Sequence, residues 1–223
     1  MELNEVMRTT FAARDFTDDE VSDEVLGQIL NNARFAPSGG NRQGWHVVVV
    51  RDRATREAFV PLIEPTWRRY LAQHGAGETP WNTIVASRVT EDELEKFSFA
   101  ADSLKWVVEA PVVLTVFVDL AVVASFDAAL DRVGVVSGAS VYPFIWNILL
   151  SARNEGLGGT VTTFVAPEEA SLQALLGVPR HMAFAAMIPI GRPVKQLTKL
   201  KRKAVSEFTT LERYDGARLK EPL

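Results

Sequence analysis

Apolar residues recur along this chain at two periods, and the switches between them set out its elements. Leu3, Val6 and Met7 share one face of a short helix over 2–13. Ser22 is an N-cap residue followed by Asp23 and Glu24, which suit the positive end of a helix dipole. Val25, Leu26, Ile29, Leu30 and Ala33 then repeat at helical spacing until Pro37 and Gly39-Gly40 end the run. Residues 45–52, WHVVVVRD, read as a buried strand, and 53–73 as a helix. The polar segment 74–82, with its glycines and Pro80, reads as a mobile loop. Leu94, Phe97, Ala101 and Leu104 place one helix over 91–107. Residues 111–118 are a β-branched run expected to be a central strand. A long, almost wholly apolar helix is expected over 134–155, interrupted by Pro143. A helix apolar all round must be covered on every side, and a second subunit is a natural cover in a chain of this length. A strand over 160–164 follows, then a helix opened by Pro167, Glu168 and Glu169 and closed by Gly177. A last strand covers 182–190, and a basic, weakly periodic tail begins at Arg192.

Long helices with three or four strands, lacking regular βαβ alternation, make this an α+β chain. Its 223 residues are read as a single domain, 1–223, with 65–107 as a variable insert or lid and 192–223 as a C-terminal tail. A net charge of -4 argues against a general nucleic-acid grip. The apolar stretch 110–126 contains Asp119, which would cost about 2.5–3.5 kcal/mol at a bilayer centre, so a membrane span is not expected. The opening MELNEVMRTTF has no signal-peptide apolar region, and a cytoplasmic location is the default expectation. Cysteine is absent, and His46, His74 and His181 stand apart in no ligand pattern, so no metal site is expected. No strand is followed by a G-x-G-x-x-G and no P-loop occurs. Redox chemistry in such a chain needs an organic cofactor.

Four segments carry candidate chemistry. Arg8, Thr9, Thr10 and Arg14 offer paired cationic donors and hydroxyls that suit a phosphate, and equally describe solvated arginines near a terminus. Residues 36–45, APSGGNRQGW, combine glycines that admit a flat ligand with polar edge-readers, although a plain helix-to-strand turn also fits. Residues 155–164, EGLGGTVTTF, run from a helix end into a strand whose backbone N–H groups can serve a ligand; a C-cap glycine explains Gly156 without one. The tail holds Arg192, Lys195, Lys199, Lys201, Arg202 and Lys203, either a solvated charge run or a second cationic wall for a phosphate.

In this order and spacing the segments resemble the nitroreductase family of flavoproteins over nearly the whole chain. "APSGGNRQ" and "EGLGGT" are the most specific stretches, supported by the long apolar helix, the "IPIGRPV" strand end and the basic tail. The resemblance implies a central, mostly antiparallel sheet flanked by helices, an intimate homodimer with exchanged termini, and FMN bound between subunits. It implies that Arg8, Thr10 and Arg14 hold the FMN phosphate and ribityl chain, joined by Arg202 and Lys203. Pro37, Ser38, Gly39 and Asn41 would line the ring from the partner subunit. Thr162 and Thr163 would offer backbone donors near N5, with Gly159 permitting the approach. The chain departs from the family at Thr9-Thr10, where Arg-Arg-Ser-x-Arg is common, at Gly44 in place of a proline, and at Trp146 in place of a polar residue.

The implied chemistry is ping-pong. NAD(P)H gives hydride to FMN, and an electron acceptor, nitroaromatic or quinone-type, then takes it at the same ring face. No side chain is expected to act as nucleophile or general base. Trp67, Tyr70 and Trp81 surround a Gly-containing loop and suit flat acceptors, although they also describe the anchor of a surface helix. Relatives use the same scaffold for reductive dehalogenation, flavin fragmentation and azoline oxidation, and a flavin-binding protein without turnover is the reading from another class.

Overall fold

The computed structural model describes residues 1–219; the last four residues of the expected tail, 220–223, lie outside the described set. Its centre is a four-stranded, fully antiparallel sheet in the order β1-β2-β4-β3. The strands are β1 (Trp45–Val50), β2 (Val112–Asp119), β3 (Gly158–Gly159) and β4 (Met182–Gly191). β2 lies between β1 and β4 and is buried over seven consecutive residues, because helices cover both sheet faces. That is why its sequence reads as an unbroken apolar run instead of an alternation.

On one face, Val112, Leu114, Val116 and Val118 pack with Leu26 and Ile29 of α2 (Asp23–Ala33) and with Ile145 and Ile148 of α6 (Tyr142–Asn154). On the other, Val113 and Phe117 pack with Phe59 and Ile63 of α3 (Arg53–Gly75), Val107 of α5 (Lys105–Glu109) and Leu172 of α7 (Glu169–Leu176). The α+β reading is borne out, as are α2, α3, the central strand and α7. Ser22 Oγ caps α2 by accepting from the Val25 N–H at 3.3 Å, and Gly177 closes α7 in the left-handed region at φ 67°. Among the described residues no helix is long and apolar enough to cross a membrane.

Four expectations need correction. The first helix, α1, spans only Leu3–Thr9. Thr9 and Thr10 bond back to the carbonyls of Glu5 and Val6, after which the chain turns extended and Ala13 N–H joins Gly159 O at 3.0 Å. The 91–107 helix is two pieces, α4 (Glu91–Lys96) and α5, because side chains of α3 hold the intervening segment as turns. Arg68 donates to Phe97 O and Trp67 Nε1 to Ser103 Oγ. The long 134–155 helix is a short 3-10 turn, Val136–Ser140, followed by α6. Pro143 starts α6 rather than interrupting it, since its missing N–H is harmless in a first helical turn. Finally, the strand expected at 160–164 is two separate pieces of one register: Gly158 and Gly159 pair with Gly191 and Ile190, and Thr162 bridges Met187. Between them the ladder fails because Pro189, opposite Thr160, has no N–H to donate.

Candidate functional site

α3 and the chain that leaves it build one wall of a pocket. Thr66 and Tyr70 stand one turn apart on α3, and after its end residues 76–90 fold back so that Pro80 and Trp81 close over them. The opposite wall is the segment after β3, from Val161 to Pro167, and Arg14 reaches in from the chain following α1. The resulting hollow, about 450 Å³, has Arg14 as its one charged lining residue among the described residues. It therefore unites Arg14, Thr162 and Thr163 with Tyr70 and Trp81, residues expected separately for the cofactor and the acceptor.

Within that hollow the polar groups divide clearly. The Thr162 N–H is engaged in the sheet, donating to Met187 O at 2.9 Å, so it is not the free backbone donor expected. Its hydroxyl is buried and has no partner among the described residues. A buried polar atom left this way costs about 1–3 kcal/mol unless something pairs with it. Thr163 is exposed to the hollow, and its N–H meets no acceptor among the described residues. Trp67 is not a wall. It stacks behind Tyr70, with ring centres 5.6 Å apart and planes 5° apart, and gives its indole N–H to Ser103 Oγ at 3.1 Å.

The remaining cations gather elsewhere. The chain after β4 runs back along α1: Val194 N–H donates to Asp15 O, and Gln196 Nε2 to Thr9 O at 3.0 Å. That docking brings Arg202 to Arg8 in a second hollow of about 450 Å³, shared with Lys199 and, among the described residues, lined by no carboxylate. Three like charges without a counter-ion among the described residues form a place for an anion. Lys199 could be seen in the sequence as one member of the charge run, but only the docking singles it out. Lys203 is exposed and outside this hollow. Arg192 is paired with Asp19 at 2.9 Å. Thr10 has both donors engaged with Val6 O, through its N–H at 3.0 Å and its hydroxyl at 2.8 Å, so it closes α1 and offers no donor to a phosphate.

Gly159 is required by the protein's own packing. A Cβ there would lie 2.6 Å from Pro189 O and 3.1 Å from Leu149 Cδ2, so the close approach is to β4 and α6. Pro37, Ser38, Gly39 and Asn41 lie on the α2/α6 side and line neither hollow. Ser38 Oγ accepts from Gln43 N–H at 2.9 Å, and Gly39 N–H donates to Ser140 Oγ at 3.1 Å. Asn41 and Gln43 both take left-handed backbone, at φ 54° and 49°. Such strain persists only where surroundings impose it, and it collects at functional loops. One chain thus carries the two cationic hollows and the strained loop at separate places.

An antiparallel sheet enclosed by helices, with a cationic hollow and an aromatic pocket, defines a nitroreductase-like flavoprotein fold. A BluB-like flavoprotein from Clostridium difficile matches it with a TM-score of 0.68 at 25% identity, over 96% of this chain and 100% of that one. An iodotyrosine deiodinase structure bound to FMN and 3-iodo-L-tyrosine matches with a TM-score of 0.66 at 24% identity, over 96% and 99% of the two chains. The 5,6-dimethylbenzimidazole synthase of Rhodospirillum rubrum is 29% identical over 180 residues, 81% of this chain and 76% of its own. The nitroreductase family profile covers residues 7–192, and the chain belongs to that family.

The residues present fit an FMN. Thr162, whose buried hydroxyl has no partner among the described residues, and Thr163, whose N–H meets no acceptor among them, line an aromatic hollow, and a trio of cations with no carboxylate among the described lining residues suits a phosphate of about -1.5 to -2 charge.

Proposed function

We propose that this chain is an FMN-dependent oxidoreductase, a homodimer that passes electrons from NAD(P)H to flat, electron-poor acceptors such as nitroaromatics and quinones. The observation that carries this reading is the single hollow lined by Arg14, Thr162 and Thr163 together with Tyr70 and Trp81, with the Thr162 hydroxyl left without a partner among the described residues. When bound, FMN supplies two-electron hydride transfer between a nicotinamide and an acceptor. The protein's own residues bind and orient. Arg8, Lys199 and Arg202 hold the phosphate, and Arg14 adds positive charge where reduction makes the ligand more anionic. Thr162 Oγ1 and the Thr163 N–H hydrogen-bond the polar edge of the ring, and Tyr70 and Trp81 stack against the acceptor and exclude water. Pro37, Ser38, Gly39 and Asn41 reach the ring from a second copy, which accounts for their distance from both hollows.

The dimer has its own support. Tyr142 and Trp146, one turn apart on α6, are 47% and 44% exposed. Large apolar side chains grouped in this way mark an interaction surface.

A second reading, reductive removal of a halogen from an aromatic ring, uses the same pocket, and its support is the likeness to the deiodinase. Anaerobic titration separates the readings. Protein purified yellow should be bleached by NADH or NADPH, and its colour should return with a nitroaromatic or quinone. Colourless protein that takes up no added FMN overturns the proposal. Colour restored by a halogenated phenol, and by neither preferred acceptor, selects the second reading.

A further inference from the structure

Trp81 borders three hollows at once. One is the pocket with Arg14 and Thr163. The second, about 390 Å³, lies between α3 and α4, and the third, about 530 Å³, lies inside the returning loop beside Gln73 and Arg88. A tryptophan that merely anchors a loop is buried, yet Trp81 is 47% exposed. It is held by other means. Its backbone is left-handed, φ 55°, a conformation a bulky residue keeps only under constraint. The buried side chain of Gln73 accepts its N–H at 2.9 Å, and the Gln73 carbonyl accepts from Glu78 N–H at 2.9 Å. The Arg69 guanidinium lies 5.7 Å from its ring centre and is fixed in turn by Glu91 at 2.6 Å. Arg69 and Gln73 are one turn apart on α3, the helix that supplies Tyr70. Neither lines the pocket.

Resting on the reading of that pocket as the acceptor site, we propose that Gln73 and Arg69 are positioning residues that set its width by holding Trp81 at the rim. Acceptor selectivity is then governed by two side chains that do not touch the acceptor. The rigid wall favours flat, fused-ring acceptors over small ones, because a larger ring system gains more stacking area against Tyr70 and Trp81.

The test uses full-length, FMN-loaded protein and a probe that binds without turnover: equilibrium dialysis of anthraquinone-2-sulfonate. Gln73→Met and Trp81→Ala should each weaken binding about tenfold, the scale of one lost aromatic contact. Gln73→Met added to Trp81→Ala should weaken it no further, because the first acts through the second. Gln73→Glu, which keeps the accepting oxygen, should restore binding. Arg69→Leu, at a partly exposed site, carries the same comparison should Gln73→Met fail to fold. Parent-like binding in these variants, a loss that adds to that of Trp81→Ala, or a parent that does not bind the probe would overturn the inference. Flavin bleaching by NAD(P)H, followed in parallel, tests the reductase reading separately: a flavin that binds but is not reduced removes that reading and leaves the dialysis comparison decisive.

Discussion

Arg14 holds its guanidinium 5.8 Å from the centre of the Trp106 ring. Trp106 is buried and gives its indole N–H to Ser103 O at 3.0 Å, so this face is a fixed platform. A cation over an indole is placed without being neutralised. Neither Arg14 nor Arg8 nor Arg202 takes part in an ion pair among the described residues. Their charge remains for a ligand. Arg14→Ala and Arg202→Ala should each weaken FMN roughly ten- to hundredfold, the cost of a charge-assisted contact, with little change in the melting of the flavin-free protein. Flavin fluorescence titration reads the affinity. If both variants bind FMN like the parent, the phosphate is held elsewhere.

Trp67 and Trp81 should separate into two roles. Trp67 packs in one cluster with Tyr70 and Phe164, 5.0 Å from the Phe164 ring centre at 78°, with its N–H on Ser103. Trp67→Ala should cost about 3 kcal/mol of stability by opening a cavity, a shift visible in denaturant midpoint. Trp81→Ala should leave the midpoint near the parent's and raise the KM of a quinone acceptor. The reverse pattern would place Trp67 in the pocket wall.

Sequence pattern reached the sheet centre and the site's contents unequally, for physical reasons. β2 and α2 were legible because burial on both faces, or on one stripe, leaves its period in the residues themselves. Arg14, Thr162, Tyr70 and Trp81 were legible as chemistry, but their meeting in one hollow depends on how the segment after α3 folds back. The break between α4 and α5 was hidden because Arg68 and Trp67, distant in sequence, hold Phe97 O and Ser103 Oγ. Thr10 and Gly159 had the right residue types for a cofactor site. Only geometry shows that a helix end uses both donors of one, and that Pro189 O presses on the other.

The exposed stripe on α6 sets the assembly prediction. Obligate dimer interfaces commonly bury more than roughly 2,000 Å² and are strongly apolar. Trp146→Asp would put an unpaired charge in such an interface, costing several kcal/mol. Sedimentation at micromolar concentration should show a dimer for the parent and a monomer for the variant, and the monomer should lose FMN because the 37–41 loop would no longer meet the ring. A parent that sediments as a monomer with FMN bound would remove both the interface and the shared site.

Asp127 ties the loop between β2 and α6. Its carboxylate accepts from Val135 N–H at 2.7 Å and from Arg132 at 2.8 Å, and these contacts hold its pKa down to about 2. The ordinary value is about 3.9, so ionised Asp127 favours the folded loop fully above that value. The contribution declines as pH falls from about 4 through about 2. Asp127→Asn should therefore melt below the parent at neutral pH, with the gap closing towards about pH 2. A gap independent of pH would show that shape, not charge, matters at this position.

Thr162 offers the sharpest test of the cofactor site, because its hydroxyl is a cost to the empty protein. The oxygen is buried without a partner among the described residues while the backbone on either side of it is fixed by the Met187 bridge. Thr162→Val keeps the shape and β-branching and removes that atom, so the flavin-free protein should be as stable as the parent or more so, by up to about 1–3 kcal/mol. Binding should move the other way. If the hydroxyl pairs with FMN, losing one neutral hydrogen bond weakens the cofactor by roughly two- to tenfold. The two measurements are a denaturant melt without flavin and a fluorescence titration with it. Opposite signs support a hydroxyl reserved for the cofactor. A variant that loses stability in the melt and binds FMN unchanged would mean that Thr162 serves the fold alone, and the polar edge of the ring would have to be met by Thr163 without it.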